Sequence, residues 1–180
     1  MTNATTGLLD RYQEYRVRRW LVQEERTAGM LPGWRTLRRR RMLVITVAVA
    51  LLVLAVAGLL CAFGLTSAAL ATLPAAVVFM IAWVMLRIAS NRQDHAPEEV
   101  LDELEIAERN KAHSAGLSLT QMLTLPPLMF LIFSGALLPE ADAFRTAYAG
   151  GVMMLAALLA GGCAPAMILG WNRPDPEPEG

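Results

Sequence analysis

Three stretches of this chain, Met42 to Leu86, Ser114 to Pro139 and Thr146 to Asn172, contain no charged residue at all. A soluble core helix keeps a polar face, whereas Met42 to Gly64 is apolar all the way round and long enough for the roughly 20 residues that a bilayer crossing takes. Ala68 to Leu86, Leu117 to Leu138 and Tyr148 to Gly170 pass the same test of length. A single charge at mid-bilayer would cost about 2.5 to 3.5 kcal/mol on insertion scales, and none of the four carries one inside. Each run is about twice the length of a barrel strand and shows no alternation of apolar and polar residues. The expected fold is therefore all-α: a polytopic membrane protein with four transmembrane helices, 42–64, 68–86, 117–138 and 148–170, packed as a four-helix bundle.

The charges lie in the intervening blocks, and they predict orientation. Residues 1–41 hold ten arginines against four acids and end in Arg38, Arg39, Arg40 and Arg41, directly before the first span. The connection between the second and third spans, 87–116, adds Arg87, Arg92, Arg109 and Lys111. Basic residues beside span ends favour the cytoplasmic side, so both blocks and both termini are expected inside the cell membrane. A polar leader of this length argues against a cleavable signal. Arginine outnumbers lysine fifteen to one, a usage that suggests a high-GC bacterium. Cys61 and Cys163 fall at depths differing by roughly 20 Å at helical rise, too far apart for a disulfide.

Within the polar blocks two amphipathic helices are expected. From Leu8 to Val22, residues Leu8, Tyr12, Tyr15 and Val22 fall near one face, after which Gly29, Pro32 and Gly33 interrupt the helix. Trp34 and the four arginines 38–41 then suit the headgroup layer, where each arginine is worth roughly 1 kcal/mol against anionic lipid, and Trp171 marks the interface again after the last span. Nucleic acid is not an expected partner, because these arginines abut the membrane. The second helix is expected over 97–113, with Pro97 at its first position, acids in its first turns and Arg109, Lys111 and His113 in its last. Its apolar stripe, Val100, Leu101, Leu104 and Ala107, is the candidate partner-binding surface, since a short helix exposing such a stripe to water is marginal unless it docks. Gly116 is expected to cap this helix or bend it into the third span. The acidic, proline-rich end, 171–180, is expected to be an extended tail.

No constellation points to catalysis or to a cofactor. Glu98, Asp102 and Glu105 share a helix face near His95, but the spans hold no histidine or carboxylate to complete a bundle-type metal site. Nothing in the spans would activate a hydroxyl or thiol as a nucleophile. Pro126 and Pro127, in the middle of the third span, remove two amide donors and mark a kink or hinge. The last span offers small residues at four-residue spacing, Gly162, Ala166 and Gly170 on one stripe and Ala157 and Gly161 on another, of the kind that lets helix backbones approach.

The run Leu101-Asp102-Glu103-Leu104-Glu105, followed by Ala107-Glu108-Arg109-Asn110-Lys111-Ala112, resembles a pattern found just before a span in a group of small actinobacterial membrane proteins. The likeness covers about a dozen residues and departs at Leu104 and His113. It implies the same topology and source and carries no catalytic residue with it.

These features favour a non-enzymatic membrane protein without cofactor, acting through a protein partner or a second copy at its cytoplasmic elements. The alternative is a passive or gated channel formed by oligomerisation, including an effector of the phage-exclusion type, with Pro126 and Pro127 lining the path.

Overall fold

In a computed structural model, residues 15, 17–19, 21–22, 36–90, 101–137 and 142–172 are described. Four long helices carry the fold: α1, Leu37–Ala62; α2, Thr72–Ala89; α3, Glu103–Leu137; and α4, Ala143–Asn172. A 3-10 helix, Thr66–Ala71, leads into α2. No strand occurs among the described residues, and four helical segments are long and apolar enough to cross a membrane. The chain is an all-α polytopic membrane protein.

Exposed side chains on these helices are mostly large and apolar, such as Ile45, Leu52, Val77, Ile81, Met122 and Phe133. In water this would be an aggregation surface; around a membrane-spanning bundle it is the face that acyl chains cover. The buried face is apolar as well, and large and small residues alternate on it. In α1 it runs through Val47, Ala50, Leu54, Ala57 and Cys61, at alternating steps of three and four residues, with Gly58 beside Ala57.

Packing is uneven. The core joins α1 to α2 and α4, through Val47, Leu51 and Leu54 against Phe79, Ala82 and Leu86 and against Ala156 and Cys163, and it draws no residue from α3. Helix α3 lies at the edge and packs principally on α4. Both interfaces of α4 are set by glycine. A Cβ at Gly58 would stand 2.8 Å from Met153 Cγ and 3.1 Å from the Ala149 carbonyl oxygen. On the other side, a Cβ at Gly116 would stand 2.9 Å from Pro165 Cδ, one at Gly161 would collide with Thr120, and one at Gly150 with Leu131. The pairs Gly116 with Pro165, Thr120 with Gly161 and Leu131 with Gly150 define a single antiparallel register over four turns.

The α1–α2 connection is closed by a glycine whose backbone requires it. Gly64 has φ +95°, and its N–H donates to Cys61 O at 3.0 Å while Leu65 N–H donates to Leu60 O at 3.0 Å. These two bonds form the paired closure of a helix end that favours glycine at the left-handed position. At the same end Thr72 Oγ1 and the Tyr148 hydroxyl lie 2.9 Å apart, joining α2 to α4. The single Thr72 proton is directed to Ala69 O at 2.7 Å, so the tyrosine is the donor between them.

Two expectations change. The helix expected over 97–113 does not form as one piece: Leu101 and Asp102 are non-helical, and Asp102 starts α3 as its cap, with Oδ1 accepting the Glu105 N–H at 2.7 Å. An aspartate carboxylate satisfies an otherwise orphaned first-turn amide there, which is why the helix begins after it. Residues 91–100, including Pro97 and Val100, lie outside the described residues. Gly116 neither caps nor ends a helix, because α3 continues without a break for 35 residues, about 52 Å at helical rise against roughly 30 Å of hydrocarbon. Asp142 caps α4 in the same manner, accepting from Phe144 N–H at 3.0 Å and Arg145 N–H at 3.2 Å.

Gly161 and Gly162 are adjacent, yet only the first faces another helix; nothing lies within 4 Å of a Cβ at Gly162. Replacing Gly161 by Ala is expected to overpack the α3–α4 contact and cost about 1–3 kcal/mol. Gly162→Ala is expected to be neutral or slightly stabilising, and thermal unfolding of the two variants in mild detergent checks the contrast.

Candidate functional site: the basic end and the edge helix

The start of α1 and the ends of α2 and α4 lie at one end of the bundle, since Gly170 packs near both Leu86 and Val44. Helix polarity makes this end electrostatically particular. The C-termini of α2 and α4 direct unsatisfied carbonyls toward it, equivalent to about half a negative charge each. Among the described residues, Arg38 to Arg41 and Arg87 gather where those partial charges are.

Arg41 shows the arrangement directly. Its Nε donates to the Trp171 carbonyl at 3.4 Å, and its guanidinium carbon lies 4.9 Å from the centre of the Trp171 ring. One side chain thus closes the last turn of α4 and makes a cation–π contact. Arg87, in the last turn of α2, lies over the Trp83 ring at 5.7 Å, and Trp83 in turn stacks with Phe79 at 6.4 Å between centroids. Ser90 closes α2, its hydroxyl donating to Leu86 O at 2.8 Å.

The four arginines expected at the headgroup layer separate. Arg38 and Arg39 are exposed, as that reading requires, and Arg41 is partly covered by its tryptophan. Arg40 differs, since it is only 1% exposed and faces the bundle. It falls at the head of the inward face of α1, one turn before Leu43 and Val44, so the same helical period that buries those residues buries the arginine. All four belong to α1 itself rather than to a segment before it. Trp171 is at the interface end of α4, whereas Trp34 lies outside the described residues.

Of the expected partner-binding stripe, Leu104 is 69% exposed and Ala107 is exposed, whereas Leu101 precedes α3 and is partly covered. Val100 lies outside the described residues. Opposing N-terminal residues are described only at Tyr15, Val17, Arg18, Arg19, Leu21 and Val22, all helical, with Tyr15, Leu21 and Val22 exposed. The register of α3 on α4 places Gly116 beside Pro165, so the first turns of α3 project beyond the end of α4 at Asn172.

Pro126 and Pro127 lie inside α3, the first exposed and the second buried, and the helix continues through both. The hydroxyls near them are turned to their own helix: Thr120 Oγ1 donates to Gly116 O and Thr124 Oγ1 to Thr120 O, each at 2.8 Å. Cys61 and Cys163 are buried and are not joined in a disulfide. Among the described residues, no three His, Cys, Asp or Glu side chains gather into a group that could hold a metal ion. What sequence reasoning missed is the pairing of Arg41 with Trp171; its only signal was that a basic residue opening one span and an aromatic closing another meet when the spans are antiparallel. No family model, curated protein sequence or solved structure matches the chain.

Truncating Trp171 to Ala removes the ring under Arg41 but keeps the carbonyl that Arg41 reaches. Trp171→Ala is expected to cost about 1 kcal/mol, and Arg41→Ala more than this because the carbonyl contact is lost as well. Unfolding transitions of the two single variants and the double variant, compared as a mutant cycle in detergent, check the coupling.

Proposed function

We propose that this is a non-enzymatic, multi-pass protein of a bacterial cell membrane, with both termini in the cytoplasm, that acts by binding a partner through the projecting end of α3. The observation that supports this reading is the length and exposure of that helix. Spanning takes about 20 of its 35 residues, and by its register on α4 residues 103–108 run past the end of that principal neighbour, with Leu104 and Ala107 uncovered among Glu103, Glu105 and Glu108. An amphipathic stripe held out on a rigid helix fits a groove on a protein partner. The arginines at the same end favour the cytoplasmic side and anionic headgroups.

Topology is testable separately from binding. A reporter active only outside the cytoplasm is expected to be active when inserted at Leu65 and inactive when fused after Asn172; the reverse pattern would overturn the orientation.

Binding is tested by excising 97–113, which leaves the apolar run of α3 intact. Membrane insertion is expected to persist while proteins that co-purify with the full chain in mild detergent are lost. Unchanged co-purification would remove the reading.

A further inference from the structure

Along α3, the residues Ser114, Ser118, Gln121, Leu125, Leu128 and Ile132 are all exposed. Their spacing alternates four and three, which is the period that keeps one seam of a helix facing a parallel neighbour. The stripe lies on the side of α3 turned away from α4, since Gly116, Thr120 and Leu131 occupy the other. Acyl chains would cover its leucines and isoleucine without penalty. They would not suit Gln121.

Gln121 stands eight residues into the uncharged run, about 12 Å beyond His113 at helical rise and just over one turn inside the expected span 117–138. The hydroxyls around it turn back to carbonyls of α3, as Thr120 and Thr124 do. The Gln121 carboxamide has no hydrogen bond among the described residues. A primary amide left in lipid loses its donors and its acceptor together. One further acceptor lies nearby: Pro126 has no N–H to offer the Met122 carbonyl, so this oxygen too lacks its usual helical partner.

We propose that α3 is the interface of a homodimer, two copies packing in parallel along this seam with the Gln121 carboxamides paired across the two-fold axis. A symmetric contact requires a group that complements itself, and a carboxamide does so because it carries donor and acceptor, whereas an ion would meet its like charge. A single polar residue on an otherwise apolar seam also fixes register and copy number. The small Ser114 and Ser118 allow the backbones to approach on the basic side of the crossing. The same period continues through Lys111 to Ala107 and Leu104, so the second copy also borders the projecting stripe, with the two Lys111 side chains opposed there. In this respect the inference rests on the reading of the protein as one that acts by association. Glu103 and Glu108 flank that aqueous part and would face their counterparts, so the membrane-embedded part is where the dimer is held.

The test is cysteine cross-linking of the full chain in native membranes, in a background with Cys61 and Cys163 replaced by Ala. Cysteines at Ser118, Leu125, Leu128 and Ile132 are expected to form dimers on oxidation, and cysteines at the exposed but off-seam Leu119 and Phe133 are expected not to. In the Leu125→Cys protein, Gln121→Leu is expected to lower dimer yield roughly three- to tenfold, and Gln121→Asn to restore most of it. Since Gln121→Leu makes the span more apolar, an unchanged detergent unfolding transition of the monomer separates loss of pairing from loss of fold. Equal cross-linking on and off the seam, or a Gln121→Leu protein that dimerises fully, would overturn the proposal. If the seam fails while excision of 97–113 still strips a partner, the homodimer falls and the partner-binding reading stands. If the seam holds while that excision releases nothing, the homodimer stands and the binding of another protein falls.

Discussion

Helices in lipid gain nothing by hiding apolar surface from one another, because acyl chains are as apolar as leucine. What holds this molecule together is therefore how closely backbones approach. Helix α4 is the element on which that depends. Its own Gly150 and Gly161 admit Leu131 and Thr120 of α3, and Gly58 of α1 and Gly116 of α3 give room to Met153 and Pro165 on it. Dispersion contacts weaken steeply with a gap of even half an ångström, so one methyl group at these positions separates surfaces over several neighbouring residues. Helix α3 takes its edge position with α4 as its principal partner, whereas α1 packs on both α2 and α4.

Hydropathy alone defined four spans, because the cost of a charge in hydrocarbon leaves little freedom in where one ends. Which way each span faces was far less legible. Along α1 the residues turned inward and those turned to lipid are both apolar, and size does not separate them either, with Leu51, Leu54, Ala57 and Gly58 inside and Ile45, Ala48, Leu52 and Val56 outside. Alanine is so common in this chain that its stripes have no contrast. For the same reason the expected stripe of Gly162, Ala166 and Gly170 was a mixture: Ala166 and Gly170 are buried, whereas Gly162 faces open space.

The boundary at Asp102 was misread for a different reason. Acids near a helix start satisfy the macrodipole wherever they fall within the first turns, so the run from Glu98 to Glu105 was compatible with several starting points. Only the geometry of one carboxylate on one amide decides between them. Arg40 likewise looked like its three neighbours in sequence and differs only by the helical angle at which it emerges.

An unbroken α3 has a mechanical consequence. Helices resist twisting far better than loops do, and this one stays helical from Glu103 through Gly116 to Gln121 and beyond. Whatever grips Leu104 and rotates it therefore turns Gln121, less than five turns further along, by nearly the same angle. The helix can work as a driveshaft: torque applied in water arrives inside the bilayer as a change in which side chains confront the lipid.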